Sequence, residues 1–422
     1  MSILIAGAGI CGLTLALTCQ QVGLPFRIFE QSNKIEPLGV GINIQPHAVR
    51  ELIELGLEDA LEAFGVRTTN VAYFSKLGGK IWNEPRGTDA GYNWPQYSVH
   101  RGKLQTMLYD ALVERTHKDI VEAGCVLTGF QQLPDGVEAT FHSRSKNADF
   151  KIRGEILIGC DGIHSAVRKQ LFPQEGPPIW GGAILWRGTT TAKPFLDGAT
   201  MAMVGHEFQK FVIYPISKID PQTGEMLINW IAELKFDPDK IWNKEDWNRS
   251  GKLEDFLPEF ESWEFDWLDV PQMIRDHNGV YEFPMVDRNP LDQWTFENVS
   301  LVGDAAHAMY PIGSNGATQG IVDARVLVRE LLDKGVNNSA LDAYETERRP
   351  FTSKIVLANR GNGPDQIMQI VEEKCDGEFN DIHDVLSQQE LEERASKYKH
   401  LTGFDVETLN AQASIVHRGY KN

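Results

Sequence analysis

The chain has little of what commits a protein to disulfides, a metal or a membrane. Only five cysteines occur in 422 residues, at positions 11, 19, 125, 160 and 375, with no C-x-x-C pair. An odd, scattered set gives no disulfide framework or zinc knot and suits reduced thiols in a cytoplasm; no metal is expected. Positive charge is also short, with 41 Lys and Arg against 59 Asp and Glu and a net charge of −18. Such a surface repels phosphodiester backbones and anionic lipid, so nucleic acid and membrane are poor partners. Internal repeats and low-complexity tracts are missing as well. The run from Ile3 to Phe26 carries no charge, but it has no basic leader and is broken by Gly7, Gly9, Gly12, Gln20, Gln21 and Gly23. That interruption argues against a signal peptide or a membrane span. What remains is a globular composition, 42% hydrophobic and 24% charged, long enough for roughly two or three domains.

The order of elements is more informative. Ile3–Ala6 and Phe26–Glu30 read as buried strands around an apolar helix, Leu13–Val22, which makes a β-α-β unit. Helices are predicted over Pro46–Leu55, Arg101–Arg115 and Gln319–Leu332. A hairpin is predicted over Val71–Trp82 about Gly78-Gly79. Strands are predicted over Tyr97–His100, Val137–Phe141, Phe150–Ile158, Ala183–Trp186, Phe211–Tyr214, Leu227–Ile231 and Val299–Val302. The tail beyond Arg360 reads as helical and charged. This alternation predicts an α/β fold: a Rossmann-like domain with a parallel sheet, interrupted by a β-sheet domain that covers its open face. The expected division gives 1–68, 97–178 and 284–360 to the nucleotide-binding domain. It gives 69–96 and 179–283 to the β-rich cover, and 361–422 to a helical C-terminal segment.

Gly7-Ala8-Gly9-Ile10-Cys11-Gly12 fits G-x-G-x-x-G. Gly7 permits the tight turn, Gly9 lets the backbone approach a pyrophosphate, and Gly12 lets helix and strand pack closely. The helix N-terminus then faces phosphate charge. Glu30 closes the second strand, where a carboxylate binds the hydroxyls of an adenosine ribose. Chance loops contain the glycine pattern; agreement of strand, helix and terminal acid makes this one specific. Two further turns, Cys160-Asp161-Gly162 and Gly303-Asp304-Ala305, place an Asp after a buried apolar run, where open α/β sheets hold ligands. Either Asp alone would be read as an ordinary turn residue. Asp304 suits a ribityl hydroxyl.

The GAGICG start, CDGIHSAVR (160–168) and GDAAHAMYP (303–311) together resemble the three fingerprints of single-component, FAD-dependent aromatic hydroxylases of the para-hydroxybenzoate and salicylate hydroxylase type. PLGVGINIQP (37–46), WPQYSVHRGKLQ (94–105) and MVDR (285–288) look most like the phenazine-carboxylate monooxygenase branch. The resemblance implies bound FAD, NAD(P)H as transient reductant, dioxygen as cosubstrate, and hydroxylation of an aromatic or N-heteroaromatic ring through a flavin C4a-hydroperoxide, with or without decarboxylation. It implies FAD contacts from Glu30, Gln31, Val40, Gly41, Arg101, Gln105, Asp161, Arg168 and Asp304. The loop Pro311, Gly313, Gly316 and Ala317 is implied as well, although it is less glycine-rich than in salicylate hydroxylases. Independently, that loop leads into a helix whose free N–H groups and positive end suit an anionic reduced flavin.

The substrate site is less legible. Eight of ten tryptophans (180, 186, 230, 242, 247, 263, 267 and 294) fall in or near the expected cover. Aromatic walls suit a flat ligand, although sheet core is the commoner use for any single tryptophan. Trp186, Tyr214, Trp230 and Tyr310 are the candidate walls, and Arg187 is placed to pair with a carboxylate. His206, Tyr214 and Tyr310 are the candidate acid–base groups, His206 for its titration near neutrality, although a solvated loop histidine is the commoner case. Asp161, His164 and Ser165 do not make a hydrolase triad, because near-adjacent residues diverge and no G-x-S-x-G elbow exists. A flavin dehydrogenase or oxidase without oxygen insertion remains open, as does a non-catalytic flavin-binding partner protein. A monomer or homodimer is expected.

Overall fold

The computed structural model describes residues 2–237, 249–361, 363–401 and 405–416; Trp242 and Trp247 lie outside them. Ile3–Ala6 forms the middle of a six-stranded sheet, flanked on one side by Phe26–Glu30 and Val121–Ala123 and on the other by Ile156–Gly159, Val299–Leu301 and Thr295–Phe296. Ile5 pairs in parallel with both Ile28 and Ile158, and the sheet turns antiparallel at its edge, where Thr295–Phe296 meets Val299–Leu301. Strands buried on both faces need continuous apolar sequence, which Ile3–Ala6 and Ile156–Gly159 supply. The helix Ile10–Val22 is apolar all round because it packs between the helices Arg101–Arg115 and Gly316–Lys334. An antiparallel sheet of Cys125–Leu133, Gly136–Ser143 and Ala148–Gly154 covers the parallel sheet, with Phe141 stacked on Phe29 at 4.1 Å.

One expected strand is two. Phe150–Ile158 divides at Glu155, with Ala148–Gly154 in the antiparallel sheet and Ile156–Gly159 in the parallel one. The burial pattern changes there from half-exposed to fully buried, so the two halves serve different layers.

The cover is a seven-stranded sheet in the order His277–Asp287, Ile179–Ala192, Met226–Lys235, Gln209–Pro215, Met201–Gly205, Asn70–Phe74, Lys80–Pro85. Its outer face carries Ile184, Trp186, Ile213, Trp230 and Ala232 onto Phe256, Phe260 and Ile274. Its inner face carries Leu185, Met203, Val212, Tyr214 and Ile231. After Arg360 the helix Gln366–Cys375 and the start of Gln388–Leu401 pack on the cover through Met368, Val371 and Leu391. Val406–Ala411 and the residues to 416 return to the first domain, where Arg325 donates to the Val416 carbonyl at 2.6 Å. Among the described residues no helix is long and apolar enough to cross a membrane.

Candidate active site

The chain crosses from the first strand into the first helix with almost no room. Gly7 has φ +101°, and a Cβ there would stand 2.5 Å from the Cys160 carbonyl; one on Gly12 would stand 2.0 Å from the Gly7 carbonyl. Gly9 faces open space on the wall of a cavity of about 360 Å³. No side chain caps the Ile10–Val22 helix and no acid stands in its first turn, so its first N–H groups are left for a ligand. The Glu30 carboxylate is fixed by the N–H groups of Ala8 and Ser32, both at 2.8 Å. Gln105 donates to the Ala8 carbonyl at 2.9 Å and so holds the turn from the next helix. Gln31 is exposed and Val40 is buried.

The second glycine turn is built as firmly. Gly303 (φ +65°) aims Asp304 into the same cavity. Burial raises the Asp304 carboxyl, with His307 and Arg101 pulling it back. Behind it, Asp323 accepts from Gly303 N–H at 3.1 Å, His307 Nε2 at 2.5 Å and Arg348 Nε at 2.7 Å. Burial alone would raise Asp323, but His307 and Arg348 outweigh it and hold the carboxyl down to about 2. The loop Pro311–Ala317 lines the cavity beside Asp304. It is anchored by Asn359, which donates to the carbonyls of Tyr310 and Ile312 at 3.1 Å each. The helix Gly316–Lys334 that follows also begins without a side-chain cap.

The cover supplies the roof. Leu185, Met201, Met203, Val212 and Ile231 make it apolar, and Arg187 and Tyr214 add its polar groups. Burial lowers the Arg187 guanidinium and raises the Tyr214 phenol, each opposed by the other. One residue joins roof to floor: the Gly41 N–H donates to Asn229 Oδ1 at 2.7 Å, and the Gly41 carbonyl accepts from Arg187 Nη2 at 2.9 Å.

The cavity therefore gathers Gly9, Gly41, Arg101, Arg187, Tyr214, Asp304, Pro311, Gly313, Gly316 and Ala317. Several expected residues stand elsewhere. Trp186 and Trp230 point to the outer face, since strand neighbours alternate; Trp186 stacks on Phe256 at 4.9 Å and Trp230 donates to Thr190 at 2.9 Å. Among the described residues no tryptophan lines the cavity. Tyr310 turns into a neighbouring pocket of about 220 Å³ beside Gly181 and Arg360, and burial pushes its phenol up to about 12. His206 sits in the turn before Gln209, 3.9 Å from Glu372 and off the cavity, its imidazole lowered by burial against that carboxylate. Arg168 donates all five of its N–H groups to protein, to Glu175 and to the carbonyls of Ala305, Ala306 and Asn289. It braces the Asp304 turn from behind and has no donor left for a cofactor. Asp161 accepts from the N–H groups of Ala166 (2.7 Å) and Val167 (3.3 Å), so its carboxylate starts a helix.

Residues missed by the sequence reading include Asp323 and Arg348, which set the second turn, and Asn229, Lys210, Glu233 and Asp365. An acid amid the apolar residues Ile321, Val322, Ala324, Val326 and Leu327 of an expected helix is the available sign for Asp323. FAD fits this frame: two uncapped helix ends, a side-chain-free turn facing open space and an apolar roof converge on one crevice, with the Glu30 carboxylate held against the first turn by the Ala8 N–H.

Comparison with known proteins agrees. The family described as "FAD binding domain" matches residues 1–359. The chain is 41% identical to phenazine 1,6-dicarboxylic acid hydroxylase PhzS of Lysobacter antibioticus, over 85% of this chain and 89% of that protein. It is 27% identical to a salicylate hydroxylase of Pseudomonas putida, over 84% of this chain and 83% of the relative. In fold it is similar to a point variant of Klebsiella pneumoniae HpxO complexed with FAD, with a TM-score of 0.68 and 21% identity over 97% and 96% of the two chains. FAD is thus the cofactor, and NAD(P)H is the reductant typical of such hydroxylases. The chain belongs to the FAD-binding-domain family, as an FAD-dependent monooxygenase of the aromatic hydroxylase type.

Proposed function

We propose that the substrate is a planar aromatic or N-heteroaromatic acid of the phenazine-carboxylate kind, hydroxylated with loss of the carboxylate where that group sits on the attacked carbon. The observation that carries this reading is the apolar roof bearing Arg187 beside Tyr214, directly over the nucleotide turns. The similarity to a phenazine dicarboxylic acid hydroxylase supports it. Bound FAD supplies the two-electron chemistry that activates dioxygen and delivers one oxygen atom to the ring.

In this reading Glu30 holds the adenosine ribose, and the N–H groups after Gly9 hold the pyrophosphate. Asp304 holds the ribityl chain, and the N–H groups of the 313–318 loop stabilise negative charge on the reduced ring. Arg187 pairs with the substrate carboxylate, Tyr214 hydrogen-bonds beside it, and Leu185, Met201, Met203, Val212 and Ile231 keep water away from the reacting atoms. The nucleotide-binding parts are 1–68, 97–178 and 284–360, and 69–96 with 179–283 form the cover. The acidic charge and free thiols support a cytoplasmic enzyme without nucleic-acid or membrane partners, as a monomer or homodimer.

The test is to mix the full-length holoenzyme, NADH or NADPH, labelled dioxygen and a panel of aromatic acids that includes phenazine-1,6-dicarboxylic acid. Stimulated reductant consumption with one labelled oxygen atom in the product is expected. Reductant consumption that yields only hydrogen peroxide with every acid would replace the hydroxylase reading by an oxidase.

A further inference from the structure

The roof carries a second polar group that the reading above leaves unused. Lys210 and Glu233 are cross-strand partners on adjacent cover strands, and Asp365 reaches them from the short turn Gly363–Asp365 beyond the family's matched residues. Lys210 Nζ lies 2.9 Å from Asp365 Oδ2 and 3.4 Å from Glu233 Oε1. All three line the cavity, and they are 3%, 7% and 8% exposed for Lys210, Asp365 and Glu233. Two carboxylates on one ammonium leave an excess of negative charge in a site with little solvent. Asp365 Oδ1 is buried there without a hydrogen-bond partner, a state that costs free energy until a donor arrives. Lys210 has three N–H donors and spends two on the carboxylates. The same ion pair thus keeps a bare acceptor and a spare donor in the cavity wall.

We propose that Asp365, with Lys210, is a specificity-determining site that takes a substrate group able to donate and accept hydrogen bonds side by side: a ring hydroxyl, a protonated carboxyl or a lactam edge. The inference rests on the aromatic-substrate reading. The group's proton goes to Asp365 Oδ1 and its oxygen accepts from Lys210. A bare carboxylate has no proton to give and meets net negative charge, so it is turned toward Arg187 instead. The segment after residue 359 then does more than pack on the cover, because it completes the binding surface.

The test uses the full-length holoenzyme and matched ligand pairs: benzoate with 4-hydroxybenzoate, and quinoline-2-carboxylate with its 4-hydroxy form. Binding is read from the flavin absorbance change, without reductant. Wild type should prefer the donor-bearing member of at least one pair by about tenfold or more. Asp365→Asn should bring that ratio near one, with flavin content and affinity for the partner lacking the group unchanged. Should Asp365→Asn fail to hold flavin, Asp365→Glu keeps the ion pair, displaces the bare oxygen and should still lower the ratio several-fold. No preference in any pair, an unchanged ratio in the variant, or equal loss for both members would overturn the proposal. These are binding readouts, so they stay separable from oxygen insertion, which decides the function itself.

Discussion

The floor of the cavity is made of peptide groups and its roof of side chains. On the floor, Gly9, Gly313 and Gly316 bring backbone to the crevice wall, and side chains such as Gln105, Asn359, Asp323 and Arg168 hold that backbone from behind. On the roof, strand backbone is consumed in the ladder, and Arg187, Tyr214, Lys210 and the apolar residues do the facing. A peptide-built surface suits an invariant cofactor, and a side-chain surface suits a substrate that differs between relatives. Substitutions on the floor should therefore change flavin retention, and those on the inner roof should change substrate affinity.

Four substitutions test that division, in falling order of effect. Gly12→Val places a branched side chain where even a Cβ would meet the Gly7 carbonyl at 2.0 Å. Purified protein should lose flavin absorbance per chain by more than about tenfold; full retention would contradict the peptide-built floor. Trp230→Ala empties the outer face of the roof and should cost ~3–5 kcal/mol in denaturant unfolding. Molecules that remain folded should keep their substrate affinity, because this side chain lies away from the cavity.

Asp323→Asn comes next. The Asp323 carboxyl is held at about 2 against an ordinary 3.8, so its contribution is complete above pH 3.8 and is lost as pH falls through about 2. At about 1.4 kcal/mol per pH unit the variant should be ~2 kcal/mol less stable at neutral pH. Its stability should also fall less steeply below about pH 4 than that of wild type. Parallel acid limbs for the two proteins would deny Asp323 this role. Arg187→Met should raise KM for an aromatic acid by about tenfold while flavin content stays constant. An equal KM would remove the proposed carboxylate partner.

Much of the floor could be read from the chain because its rules are local. The apolar run Ile3–Ala6, the glycines, the helix and Glu30 fall within one short stretch, and steric limits on backbone fix what each can do. The roof resisted the same treatment. Tryptophan enrichment was visible, but face depends on parity, and one step along a strand separates Trp186 on Phe256 from Arg187 in the cavity. His206 and Tyr310 have suitable chemistry but not the location, and both stand off the cavity. The break at Glu155 is hard to see because two strands of unlike sheets abut across a single residue, with Gly154 as its one sign. Lys210 and Asp365 were out of reach, since they are 155 residues apart and only the fold joins them.

The hold on Gly41 at both its N–H and its carbonyl has a consequence for motion. Asn229 and Arg187 both belong to the cover, so the sheet cannot tilt away to admit a ligand without releasing both the N–H and the carbonyl of this residue, which lie in successive amides. An isotope label on the Gly41 carbonyl would make it a strain gauge, its infrared band shifting to higher frequency whenever the lid lifts.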